Sequence, residues 1–218
     1  MVQLRHFCKG RTTVKDQCQQ PLLLGGFEVH QNWLSADHQA GLVEVARRIA
    51  TAAPLFSPVT RFGKQMSVQM TSAGRWGWTA DAGGYRYAAR HPSGVEWPPI
   101  PEPLLDIWQT VTGLERLPDS CLVNFYSQYA RMGLHQDKDE ASFEWPVLSI
   151  SLGDDALFRI GGTERRAPTQ SIWLRSGDVV VMGGAARLCH HGVDRIRHGS
   201  SHLLPDGGRV NLTLRVVE

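Results

Sequence analysis

The sequence predicts an α+β chain that is mainly β: a double-stranded β-helix (jelly roll) core with N-terminal helices packed on one side and a lid ahead of it. Three observations lead there. From Ser120 onward short β-rich runs recur, each bounded by Gly, Pro or Asp, and many short strands at close spacing indicate a sandwich or jelly roll. Two amphipathic helical stripes precede them. The last run alternates polar and apolar residues with a period of two, as a strand must when its faces meet different surroundings.

Residues 1–20 carry little periodicity, and Leu22 to His30 has room for a short strand. Ser35 is a plausible N-cap for a helix through about Ala52, because its side chain can accept from a free first-turn N–H. Leu42, Val43, Val45, Ala46, Ile49 and Ala50 form its apolar stripe, and Pro54 stops it. Short strands are expected around Gln65–Thr71 and Gly84–Tyr87. A second helix is expected from Glu102 to Thr112, with Leu104, Leu105, Ile107, Trp108 and Val111 inward. The β runs follow at Cys121–Tyr126, Val147–Leu152, Leu157–Ile160, Ser171–Leu174, Val179–Met182, Leu188–His191 and Val210–Val217.

The bulk composition is that of an ordinary globular protein, with 42% hydrophobic and 20% charged residues among 218. No apolar run approaches the roughly 20 residues a membrane span needs, and Met1 to Gln20 lacks the apolar stretch of a secretory signal. A cytoplasmic protein with no membrane partner is expected. The net charge of +2 permits a nucleic-acid partner without arguing for one. Cys8, Cys18, Cys121 and Cys189 match no zinc or redox spacing.

His135 and Asp137 stand two apart, so on an extended segment an imidazole and a carboxylate point to the same side. H-x-D alone recurs by chance and does not mark a metal. His191 is the leading third ligand, because it ends a predicted strand and precedes Gly192. His190 would face the other way, and His198 and His202 are further candidates in a Gly/Ser-rich loop. Two His and one carboxylate form a facial triad that leaves positions open on Fe(II).

In the last strand Arg209, Asn211, Thr213 and Arg215 share one face, and Val210, Leu212, Leu214 and Val216 the other. Two enclosed guanidinium groups require anionic partners, and a dicarboxylate supplies them through paired hydrogen bonds. The alternative is a polar face meeting water on an edge strand. Asn124 and Tyr126, also two apart, can reach the same carboxylate.

In combination these motifs resemble the bacterial AlkB dioxygenases. The matching runs are Asn124-Phe125-Tyr126, Leu134 to Glu140, Leu148 to Gly153, Gly177 to Val181, His191-Gly192 and Arg209 to Arg215. Upstream, Met66 to Thr71 and Gly77-Trp78-Thr79 match as well, so the resemblance spans about Pro54 to Val217. It implies Fe(II) on His135, Asp137 and His191. It implies 2-oxoglutarate on Asn124, Tyr126, Arg209 and Arg215, with Asn211 nearby, and O2 as the second co-substrate. The implied reaction is oxidative dealkylation of bases such as 1-methyladenine and 3-methylcytosine, releasing succinate, CO2 and formaldehyde. A single dioxygenase domain over 21–218 is then expected, behind a poorly ordered or variable 1–20 segment. Its lid and supporting helix would occupy about 55–118 and its catalytic core 119–218.

By the same resemblance Trp78 stacks on the damaged base opposite His135, and Tyr85 and Tyr87 belong to the lid. Met66 is a pocket wall, Asp139 contacts the exocyclic nitrogen, and Arg165 faces substrate. Arg61, Lys64, Arg86, Lys138, Arg165 and Arg166 are candidate phosphate contacts. Glu164 stands where the family commonly has a basic residue. The expected partner is alkylated single-stranded DNA, with RNA as a further substrate, and the chain is expected to act as a monomer. Rival readings are an oxygenase acting on a protein or small molecule, a catalytically silent nucleic-acid binder, and a zinc-binding structural protein.

Overall fold

The computed structural model describes residues 20–60, 62–81 and 83–218. Its strands are β1 (Leu22–Leu24), β2 (Phe27–His30), β3 (Gln69–Gly74), β4 (Gly77–Asp81), β5 (Gly84–Ala88), β6 (Ser120–Tyr126), β7 (Met132–His135), β8 (Val147–Gly153), β9 (Asp155–Ile160), β10 (Gln170–Leu174), β11 (Val179–Met182), β12 (His191–Arg197) and β13 (Arg209–Arg215). They form a seven-stranded sheet, β1-β2-β11-β8-β13-β6-β3, a facing four-stranded sheet, β10-β9-β12-β7, and a separate ribbon, β4-β5. The pairings are antiparallel throughout. This is the expected jelly roll.

Alternation along the strands builds two apolar layers. Val210, Leu212 and Leu214 of β13, Cys121 and Val123 of β6 and Leu148, Ile150 and Leu152 of β8 join the helices in one cluster. Leu122 and Tyr126 of β6 face the other way, into a second cluster with Ala156, Phe158 and Ile160 of β9 and Val193 and Ile196 of β12. The second cluster fills the space between the sheets, and the polar face of β13 is turned toward that interior.

The helices are α1 (Ala36–Ala52) and α2 (Glu102–Thr112). The Ser35 side chain accepts from the His38 backbone N–H and so caps α1. Leu42, Val43, Val45, Ala46 and Ile49 are its buried stripe. Leu104, Ile107 and Trp108 do the same for α2, with the Trp108 indole donating to the Arg116 carbonyl at 2.9 Å.

Several expectations need correction. The run Leu188–His191 is not a strand: a 3-10 helix (Gly184–Ala186) and a turn at 187–188 lead into it, 189–190 carry no regular structure, and β12 begins at His191. Cys189 N–H donates to Ala186 O within the turn and His190 N–H to Gly162 O in a distant loop, so a turn bond and a loop contact stand there in place of a ladder. His191 therefore opens a strand rather than ending one. The strand expected at Gln65–Thr71 lies at Gln69–Gly74, and the region Leu22 to His30 is a hairpin. The last strand is not an edge: β13 lies between β6 and β8. The sheet also draws β1, β2 and β3 from before residue 119, so the jelly roll is not confined to 119–218. The segment 1–19, Arg61, Cys8 and Cys18 lie outside the described residues. Cys121 and Cys189 are free thiols. Among the described residues no helix is long and apolar enough to cross a membrane.

Candidate metal and co-substrate site

β7 and β12 pair so that His135 and His191 are direct Cα partners across the ladder. Asp137 follows β7, and ligand atoms of His135, Asp137 and His191 all lie within 4.8 Å of one another. Both imidazoles are oriented by backbone carbonyls: His135 Nδ1 lies 2.9 Å from Gly133 O, and His191 Nδ1 lies 3.1 Å from Cys189 O. With Nδ1–H donating, each Nε2 is left with its lone pair toward Asp137, at 3.7 and 3.8 Å from its oxygens. Two imidazoles and a carboxylate converging in this way fit a divalent metal with open positions. His190 instead contacts Gly162 O through Nδ1, and His198 sits beside Asp154, so neither joins the cluster.

The electrostatics are consistent with this. Burial alone would push the Asp137 carboxyl up, but the Arg215 guanidinium and the two imidazoles outweigh it and hold the group well below the usual carboxylate range. Arg215 reaches Asp137 Oδ2 through Nη2 at 2.8 Å and Nε at 3.2 Å. Burial and the nearby His135 lower His191 to about 4, against the pull of Asp137. The group is therefore neutral at ordinary pH, the form a metal requires of an imidazole.

Four of the residues expected to hold the co-substrate pair across one ladder. β13 pairs with β6 so that Arg209 faces Tyr126 and Asn211 faces Asn124. Arg209 is 1% exposed and Arg215 6%, which means both guanidinium groups have left water. Arg209 donates to Ser151 Oγ at 2.6 Å and to Asp154 O at 3.3 Å. Among the described residues Arg209 Nε, Arg215 Nη1 and Asn124 Oδ1 are buried without a hydrogen-bond partner. Unpartnered buried donors on two cations are costly, and an anionic diacid answers that chemistry. Burial lowers Arg209 to about 10 and raises Tyr126 to about 12. Asn211 uses its amide on Ser149, Ile150 and Thr213, so it braces β13 against β8.

The β4-β5 ribbon reaches this end through Trp78 and Tyr87. Trp78 donates to Asp139 Oδ2 at 3.0 Å, and its ring stacks on Tyr85 with centroids 5.5 Å apart. Met66 and Trp78 pack against the inter-sheet cluster. Tyr87 does not line the surface beside Tyr85: its hydroxyl donates to buried Glu140 at 2.7 Å. Arg86 is engaged with Asp81 at 2.8 Å, while Arg165 is exposed in a turn.

The 2OG-Fe(II) oxygenase superfamily model matches residues 26–215. An AlkB homolog of Caulobacter vibrioides, named an alpha-ketoglutarate-dependent dioxygenase, is 56% identical over 191 residues, covering 87% of each chain. The chain belongs to the AlkB family of 2OG-Fe(II) oxygenases. The alpha-ketoglutarate-dependent dioxygenase AlkB of Escherichia coli is 38% identical over 202 residues, covering 90% of this chain and 92% of its own. The solved structure of OsALKBH1 superposes with a TM-score of 0.77 at 30% identity, covering 91% of this chain and 100% of its own. The protein is thus an Fe(II)/2-oxoglutarate-dependent dioxygenase that uses O2.

The AlkB-family site also contains residues that motif reading missed. Glu140 and Arg187 form a buried ion pair at 3.1 Å, and Glu140 also meets Arg215 Nε at 3.3 Å. Ser151 and Asp154 hold Arg209. One signal was available for Arg187, a lone cation among Ala186, Leu188 and Cys189, although nothing in that run indicates where its charge goes.

Proposed function

We propose that this AlkB-family enzyme removes N-alkyl groups from nucleic-acid bases, with Fe(II) on His135, Asp137 and His191 and 2-oxoglutarate on Asn124, Tyr126, Arg209 and Arg215. The observation that carries the substrate class is the Trp78 indole, stacked on Tyr85 and tied to Asp139, two residues beyond the ligand carboxylate. An aromatic platform suits a base taken out of its stack, a contact worth roughly 1–3 kcal/mol. Asp139 suits 1-methyladenine and 3-methylcytosine, whose alkylation leaves the base cationic.

Fe(II) with 2-oxoglutarate and O2 supplies an oxidant that hydroxylates the N-alkyl carbon, the co-substrate leaving as succinate and CO2. The hydroxymethyl adduct then releases formaldehyde and the restored base. Arg209 and Tyr126 hold the far carboxylate, Arg215 keeps Asp137 ionised, and the Trp78 ribbon shields the reacting carbon from water. Single-stranded DNA and RNA are the proposed substrates, the enzyme acting as a monomer in the cytoplasm, where reduced Cys121 and Cys189 are at home. Lys64, Lys138, Arg165 and Arg166 are exposed and suit phosphate.

The test is product stoichiometry. A 3-methylcytosine oligonucleotide with Fe(II), 2-oxoglutarate and O2 should release formaldehyde and succinate in equal amounts. Succinate release no greater than with the unmodified oligonucleotide, and no formaldehyde, would remove the nucleic-acid reading.

A further inference from the structure

The side chain of Arg187 lies against the Asp137 backbone and is 3% exposed. Its guanidinium donates through Nη1 to the backbone carbonyl of Asp137 at 2.6 Å and through Nε to Trp145 O at 2.9 Å. Nη2 meets Glu140 Oε2 at 3.1 Å. One residue earlier in the ligand segment, Gln136 Nε2 donates to Leu188 O at 2.6 Å and to Thr163 O at 3.3 Å. Residues 136 and 137 are therefore sewn to residues 187 and 188, just ahead of His191.

Regular structure supplies little restraint at this point. The β7–β12 ladder has only the pairs His191↔His135 and Val193↔Met132, with an irregularity between them. Asp137 itself lies beyond the end of β7 in a stretch without strand structure. The carbonyl of Asp137 is thus held by a side chain rather than by a ladder partner. The charges close into a ring: Asp137 meets Arg215, Arg215 meets Glu140, Glu140 meets Arg187, and Arg187 returns to the Asp137 backbone.

We propose that Arg187, with Gln136, is a positioning residue that clasps the Asp137 segment to the His191 segment and so preorganises the ligands for Fe(II). The proposal rests on the ligand assignment above. Neither residue touches the metal; each acts by holding the backbone that carries a ligand. Outer partners of this kind are typically worth about 10–100-fold in metal affinity.

The experiment is anaerobic Fe(II) titration by calorimetry on wild type, Arg187→Met, Arg187→Lys, Gln136→Ala and His135→Ala, with near-ultraviolet circular dichroism to report the fold of each apoprotein. Folded Arg187→Met should bind Fe(II) about 10–100-fold more weakly, Arg187→Lys should recover part of the loss, and Gln136→Ala should lose about 3–10-fold. If Arg187→Met does not fold, Gln136→Ala alone decides. Folded variants that keep Fe(II) affinity within about two-fold of wild type, whatever their melting temperatures, would overturn the clasp. Undiminished affinity in His135→Ala would instead overturn the ligand assignment, which separates the two failures.

Discussion

Arg209 and Arg215 come from one strand, and both lose nearly all contact with water. Six residues apart on one face of an alternating strand, such cations can be enclosed only if an anion is provided for. Asp137 and Glu140 meet Arg215, whereas Arg209 has Ser151 and a carbonyl and no carboxylate hydrogen bond. On the proposed assignment Arg209 is therefore the stronger determinant of co-substrate affinity. Arg209→Met should weaken 2-oxoglutarate binding by about 2–5 kcal/mol, the usual cost of removing one partner of a buried charge pair, while Fe(II) binding alone stays near wild type. A competition assay with a non-reactive diacid analogue checks it, and unchanged affinity would assign the far carboxylate to another group. At this scale much was legible. His135, Asp137, Arg209 and Arg215 stand at period-two spacings, which place charged groups on one side of a strand. Glu140 and Arg187 were not legible, because their pairing joins segments that only the fold brings together.

Among the elements, the strands with strict alternation, β6, β8 and β13, lie close to their expected positions, because a core on one face fixes which residues turn inward. β7 and β4 were not anticipated. β7 is only four residues long and contains Gly133, and β4 contains Gly77, where a Cβ would run into the Trp97 ring. The start of β12 was misread because Leu188 ends a turn and Cys189, though buried, bonds back to Ala186 rather than to a strand. Gly192 matters most for the site. A Cβ there would meet Met132 O at 2.6 Å and Gly133 O at 2.9 Å, on the ladder that aligns the two ligand imidazoles. Gly192→Ala must push β7 from β12, and should cost about 1–3 kcal/mol of stability together with Fe(II) affinity. Denaturant melts and metal titration of the same preparation test it, and a variant equal to wild type in both would show that the ladder yields without moving the ligands.

For the molecule as a whole, the site imposes a pH dependence on the apoprotein. His191 is depressed from 6.5 to about 4, so the unfolded chain takes up a proton there before the folded one does. Its contribution to stability is present above about pH 6.5 and is lost as the pH falls toward 4. Asp137 is also depressed, so its contribution is present above 3.8 and is lost below that value. Both act in the same direction, and the apoprotein's melting temperature should fall steadily from neutrality to pH 4, less steeply in His191→Asn over the upper part of that window. Calorimetric melts across the range check it, and an equal slope in wild type and variant would place the acid sensitivity elsewhere. Fe(II), which binds the deprotonated ligands of the folded chain, should raise the melting temperature most at the upper end of the range.

His135 and His191 at paired strand ends, with Asp137 just beyond β7, are proposed to hold one ferrous ion beside a buried pair of arginines. Anaerobic addition of 2-oxoglutarate to the Fe(II)-loaded protein addresses this directly through the visible charge-transfer absorption of the chelated diacid. The account predicts a band saturating at one iron per chain in wild type and lost in His135→Ala, Asp137→Ala and His191→Ala. Any one of these variants retaining the full wild-type band would contradict it.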